Sequence, residues 1–221
     1  MTFDEILHKR RSVRGFLPGE EVPAEILRDV FLAAQRAPSN CNVQPWQVFV
    51  VSGHKRKKLA KALVAEARSK SPKNPDFGEM PSFTGEYRKR QVACAFALYD
   101  ALDIERDDRE ERFENMLRNF EFFDAPHVAF ICMPKEYETV NAIDVGAYLQ
   151  TLMLAMADRG LACCAQLALS YYPDVVHQFL PIPQDMGVLV GLSFGYEDQE
   201  HPANDTRTSR ASVEDAVRFF E

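Results

Sequence analysis

The stretch that most constrains this chain runs from Ala37 to Val51 and reads APSNCNVQPWQVFVV. Pro38 drives Ala37 out of the helical region, so a helix arriving from the N-terminal side must end there. Ser39, Asn40 and Asn42 are residue types that fold back onto the backbone of a loop or present their side chains to a ligand. Gln44-Pro45 then fixes the angle at which Trp46 enters the core, and Trp46 to Val51 reads as a buried strand. The whole is a rigid rim of hydrogen-bonding groups at a strand start. Taken alone, it fits an ordinary helix–loop–strand connection with one core tryptophan equally well.

The elements around it follow from periodicity and punctuation. Thr2-Phe3-Asp4-Glu5 is a capping box that opens a short first helix. That helix runs into Arg10-Arg11-Ser12-Val13-Arg14, three guanidinium groups within five residues. Such a cluster can serve the dipole at a helix C-terminus or clamp a phosphate through its forked donors. Val22 to Arg36 has apolar residues at helical spacing, with Pro23 suited to the first turn. His54 to Ser69 is a third helix. Ser69 to Gly85 is a loop rich in proline and glycine, long enough to be functional or mobile. The charged helices Glu86–Leu102 and Asp107–Phe122 fit either a lid over a site or a decorated surface. His127 to Met133 is a short buried strand. Ala142 to Arg159 is the most apolar helix, expected at the centre and stopped by Gly160. Leu161 to Leu169 is extended, Asp174 to Leu180 is a short helix, and Gly187 to Tyr196 is a strand whose glycines imply close backbone approach. A polar tail with Arg207 and Arg210 leads to a second capping box at Ser212 and a last helix.

Composition and motif absences narrow the function. A net charge of −7 argues against a chain-wide nucleic-acid footprint, so a local basic pocket would stand out. With no run of about 18 apolar residues and no signal-peptide core in MTFDEILHKRR, the expectation is a cytoplasmic protein that does not span a membrane. The five cysteines lack a CxxC spacing and the five histidines lack HxxH or HExxH, so no protein-held metal is expected. The chain has no GxGxxG after a strand, no Walker loop and no GxSxG elbow. A bound nucleotide would therefore have to be held by the arginines and the polar loop.

Taken together, RRSVRGF (10–16), APSNCNVQPWQVFVV (37–51), NFEFFDAPH (119–127), the segment from Gly160 to Gln166 and NDTRTSR (204–210) resemble the FMN-dependent nitroreductase family. The insertion between about 69 and 118, and the stretch from Arg118 to Pro126, are most similar to its nitrobenzene-reductase branch. The resemblance implies a single α+β domain over residues 1–221, with a central mixed sheet flanked by helices. It also implies an intertwined homodimer with crossing C-terminal tails. It implies FMN at the subunit interface, with Arg10, Arg210 and, more weakly, Arg207 at the phosphate, and Arg11 and Ser12 at the phosphate and ribityl chain. Arg14 would lie near the pyrimidine end, whose edge would meet Arg118 rather than Asn119. Pro38, Ser39, Asn40 and Asn42 would come from the partner subunit. The backbone of Cys164, Ala165, Gln166 and Leu167 would face the central ring.

The activity implied is ping-pong hydride transfer from NADH or NADPH to nitroaromatics, quinones or similar planar acceptors, with FMN carrying the chemistry and no protein catalytic group. A same-fold reductive dehalogenase, a flavin-cleaving enzyme and a non-catalytic flavin-binding or redox-sensing protein are the alternatives. Thiol chemistry at Cys163-Cys164 competes with a reading of the pair as small residues packed beneath the flavin.

Overall fold

The computed structural model describes all 221 residues. The capping box forms as expected: Glu5 N–H donates to Thr2 Oγ1, and Thr2 N–H donates to the Glu5 carboxylate, starting α1 (Phe3–Lys9). The chain then gives α2 (Ala24–Ala34), β1 (Gln47–Ser52), α3 (Gly53–Arg68), α4 (Gly85–Ala101) and α5 (Arg109–Leu117). It continues through β2 (His127–Pro134), α6 (Thr139–Asp158), β3 (Ala162–Gln166), α7 (Pro173–Phe179), β4 (Met186–Gly195) and α8 (Val213–Ala216). Gly160 ends α6 at φ 76°, a conformation that costs glycine little. At α8 only half the expected box is present: Ser212 Oγ accepts from Asp215 N–H.

The four strands form one sheet in the order β1-β2-β4-β3, every pair antiparallel. The expected central sheet is present, but it is antiparallel rather than mixed: its one parallel contact is an isolated bridge between Ser12 and Cys163. Helices cover both faces. Ala129, Ile131 and Met133 of β2 join Trp46, Val30 and the α6 residues Val145, Tyr148 and Leu152 on one side. Val128, Phe130 and Cys132 join Leu59 and Leu63 of α3 and Val176 of α7 on the other. Burial on both faces explains why β2 reads as an unbroken apolar run rather than an alternation. Trp46 stacks on Tyr148 at 4.8 Å between ring centroids, which locks the start of β1 to α6. β4 lets other elements come close at its glycines: a Cβ on Gly191 would lie 2.3 Å from Leu169 Cδ1.

By length and composition alone, α6 is apolar enough to cross a membrane. Here Val145, Tyr148, Leu152 and Met156 are spent on the core. Its Asp144 accepts a hydrogen bond from Asn40 N–H at 3.0 Å.

His127, at the start of β2, is buried, stacks on Phe194 and accepts a hydrogen bond from Val22 N–H through Nε2 at 3.0 Å. Burial holds its pKa below the usual value. An unfolded chain protonates this imidazole as pH falls through about 6.5, whereas the folded chain resists until lower pH. Stability is thus expected to fall from pH 7 towards the lower folded-state pKa and to flatten below it. Urea midpoints measured across that range should show the slope, and His127→Gln should reduce it. An unchanged slope in the variant would assign it to other groups.

Candidate functional site

Past Arg10 the chain leaves α1 in extended conformation and lies against the outer edge of β3. Ser12 bridges to Cys163, and Val13 N–H donates to Cys163 O at 3.1 Å. Val13 is buried with Phe16, Phe123 and Cys164. Arg10, Ser12 and Arg14, two apart along this extended segment, line a pocket of about 450 Å³, together with Arg11.

The far wall comes from the tail. Asn204, buried, accepts from Arg14 N–H at 2.7 Å and donates through Nδ2 to the carbonyls of Gly15 and Asp198, each at 2.8 Å. That one side chain seats residues 204–210 against residues 14–15. Thr206, Arg207, Thr208 and Arg210 then join the pocket, so five guanidinium groups converge on it. Arg11 pairs with Glu197, and Arg207 donates to the Asn204 carbonyl at 2.6 Å. No ion pair neutralises Arg10, Arg14, Arg207 or Arg210. Arg11 Nη1 and Thr206 Oγ1, both on this lining, are buried without a hydrogen-bond partner. Orphaned polar atoms of this kind are costly unless a ligand completes them. The donor set fits a phosphate ester bearing hydroxyls, and so fits the phosphate and ribityl end of FMN.

β3 is an edge strand, and beyond Cys163 its outer side is open. Ala165 and Leu167 face outward, while Cys164 and Gln166 are buried. The Gln166 side chain is fully engaged: Oε1 accepts from Ser193 Oγ, and Nε2 donates to Asn119 O at 2.9 Å and Asn119 Oδ1 at 3.2 Å. What this segment can offer a ligand is therefore its backbone. Burial pushes the Cys163 thiol up to about 12 and raises that of Cys164, against the opposing pull of the Arg14 and Arg10 charges. Both sulfurs are neutral thiols at physiological pH, packed as small core groups.

Arg118 does not line the arginine pocket. It caps α5 and pairs with Glu121 at 3.2 Å and Asp124 at 2.8 Å. That double pairing braces a turn in which Phe122, Phe123 and Asp124 all hold positive φ, at 61°, 53° and 66°. Asn119, by contrast, is tied directly to the end of β3 through Gln166.

The 38–42 loop is shaped by its own side chains. Ser39 Oγ accepts from Gln44 N–H at 3.0 Å, and Cys41, Asn42 and Gln44 adopt positive φ. Pro38, Asn40 and Asn42 are exposed, and none of Pro38, Ser39, Asn40 and Asn42 lines the arginine pocket of the same protomer. Sequence reasoning missed Asn204, Glu197 and Asp144, and at the pyrimidine edge it set Arg118 ahead of Asn119. The first lies inside NDTRTSR and the last opens NFEFFDAPH; Glu197 and Asp144 carry no local signal.

A sequence model described as the Nitroreductase family matches residues 7–196. The chain belongs to the nitroreductase family. Among other nitroreductases it is 41% identical over 217 residues to nitroreductase NfnB of Mycolicibacterium smegmatis, covering 98% of this chain and 92% of that one. It is 34% identical over 222 residues to the 4-nitrobenzoate reductase of a Nocardioides species, covering 99% and 90%. The crystal structure of the FMN-dependent nitroreductase NfnB from Mycobacterium smegmatis in complex with NADPH superposes with a TM-score of 0.94 at 40% identity, covering 99% and 97%.

Proposed function

We propose that this nitroreductase-family chain is an FMN-dependent NADPH oxidoreductase that reduces nitroaromatics, with quinones and similar planar acceptors also within its range. The observation that carries the reading is the five-arginine pocket with its orphaned Arg11 Nη1 and Thr206 Oγ1 beside the open edge of β3. Arg10, Arg11 and Arg210 would hold the FMN phosphate, and Ser12 and Thr206 would meet the ribityl hydroxyls. FMN held there would supply the redox chemistry that links NADPH to the acceptor. The protein's part is to fix the ring against the backbone of residues 164–167, to place positive charge near it through Arg14, and to keep the buried thiols neutral. Asn119, already joined to Gln166, is the group we assign nearest the pyrimidine edge, with Arg118 bracing the turn behind it.

The working unit in this proposal is a homodimer. In one protomer α6 exposes Val140 and Ile143, and the C-terminal segment exposes Phe219 and Phe220 at 83% and 91%. Apolar surface of this kind calls for a partner. A second copy would cover it and bring Pro38, Ser39, Asn40 and Asn42 to the flavin. Five unpaired cysteines suit the reducing cytoplasm where NADPH is available.

An absorbance spectrum of the purified protein tests the proposal. It should show bound flavin that bleaches when NADPH is added without oxygen and recovers when 4-nitrobenzoate follows. Protein that takes up no FMN on reconstitution, or flavin that neither NADPH nor NADH bleaches, would reject it.

A further inference from the structure

The insertion holds a second basic cavity, separate from the arginine pocket. It encloses about 490 Å³ between α4, α5 and the turn joining them. This lies within the range of small-molecule sites, about 300–1,000 Å³. Arg88, Val92, Phe96 and Tyr99 recur along one side of α4, and Arg106 and Arg112 close the cavity from the turn and from α5. Arg106 lies over Phe96 at 5.7 Å and Arg112 over Tyr99 at 5.0 Å from the ring centroids. Arg112 Nη1 donates to the Arg106 carbonyl at 2.9 Å, which ties the Arg112 side chain to the backbone of the turn. Arg112 Nε is buried with no hydrogen-bond partner. No residue of α4 is buried, so this aromatic face is not spent on a core.

Aromatic walls with guanidinium groups between them suit a planar ring that carries an anionic group. Asp100 and Glu105 also line the cavity and offer acceptors to amino or hydroxyl groups. α4 contributes Cys94 to the arginine pocket as well. The two sites thus lie on opposite sides of one helix, whose diameter is about 10 Å.

We propose that this cavity binds the adenosine 2′-phosphate end of NADPH and that Arg106 and Arg112 make the protein prefer NADPH to NADH. The inference deepens the NADPH-dependent reading above and rests on it for its role in turnover. The 2′-phosphate is the chemical difference between the two donors, and it sits at the end far from the hydride. A nucleotide holding this end in the insertion would extend round α4 to bring its nicotinamide to the flavin.

Calorimetry with adenosine 2′,5′-bisphosphate and with 5′-AMP tests the proposal without any turnover. The unaltered protein should bind the bisphosphate at least about tenfold more tightly, the effect expected of one charge-assisted phosphate contact. In Arg106→Gln/Arg112→Gln that preference should vanish, kcat/KM with NADPH should fall by the same factor, and flavin content and NADH-driven turnover should stay unchanged. Equal binding of the two nucleotides by the unaltered protein would overturn the proposal. So would a preference that survives in the double variant, or displacement of the bisphosphate by 4-nitrobenzoate, which would give the cavity to the acceptor. A colourless protein that still prefers the bisphosphate would support the cavity assignment while rejecting the flavin reading.

Discussion

Arg10→Ala/Arg210→Ala protein is expected to purify nearly free of FMN. Both guanidinium groups line the same pocket, and no ion pair neutralises either one. A charge-assisted contact to a phosphate contributes about 1.5–3 kcal/mol, or about 10- to 100-fold in affinity. Losing two should weaken FMN binding by about 100-fold or more, with non-additivity between neighbours setting the spread. Flavin fluorescence titration of the apoprotein measures this directly. Neither residue contributes to the packed core, so the urea midpoint of the apoprotein should hardly move. Arg11→Ala would be a less clean test, because it leaves Glu197 without its ion-pair partner. Unchanged FMN affinity in the double variant would place the phosphate elsewhere.

The second large effect is expected at Asn204, and there it should reach stability as well as binding. Asn204→Ala leaves Arg14 N–H without its partner and removes one of two donors from each of Gly15 O and Asp198 O, which keep Asp198 N–H and His201 N–H, in a place where Asn204 itself is 1% exposed. An unsatisfied buried group costs about 1–3 kcal/mol and a lost hydrogen bond whose acceptor keeps another donor about 0.5–1 kcal/mol, so the total should be about 2–4 kcal/mol. Asn204→Asp keeps an acceptor for Arg14 N–H, loses both donations and buries a charge, so it should be no milder. Because the same side chain seats Arg207 and Arg210 opposite Arg14, FMN uptake should fall in step with the urea midpoint. A loss below about 1 kcal/mol would mean that the tail is held by other contacts.

The two variants separate what the sequence announces from what it hides. Arg10, Arg14, Arg207 and Arg210 are visible as basic clusters in an acidic chain, and the resemblance places them at a phosphate. Asn204 is one polar residue among several in NDTRTSR, and nothing local distinguishes it from Thr206 or Ser209. Its importance comes from a bond to Arg14, 190 positions away. Arg11 shows the same limit: as a sequence feature it belongs with Arg10 and Arg14, yet folding pairs it with Glu197, 186 positions distant. Arg118 is the reverse case. Its charge and motif position suggest a contact with the ligand, but Glu121 and Asp124 engage it within its own turn.

The sequence by itself determined the order and kind of most elements, because those depend on short-range physics. Helical periodicity marks α2 and α3, the two-sided apolar run marks β2, and Thr2 and Gly160 mark a helix start and a helix stop. Tertiary structure alone decided which charges meet empty space and which meet one another. It brought residues 10–14 and 204–210 to opposite walls of one pocket, turned the Gln166 side chain inward to Ser193 and Asn119, and opened an arginine-rimmed cavity inside the insertion. The physical reason is that a guanidinium group's partner is chosen by proximity after folding. Proximity across nearly two hundred residues leaves no period, cap or turn signal for a linear reading to find.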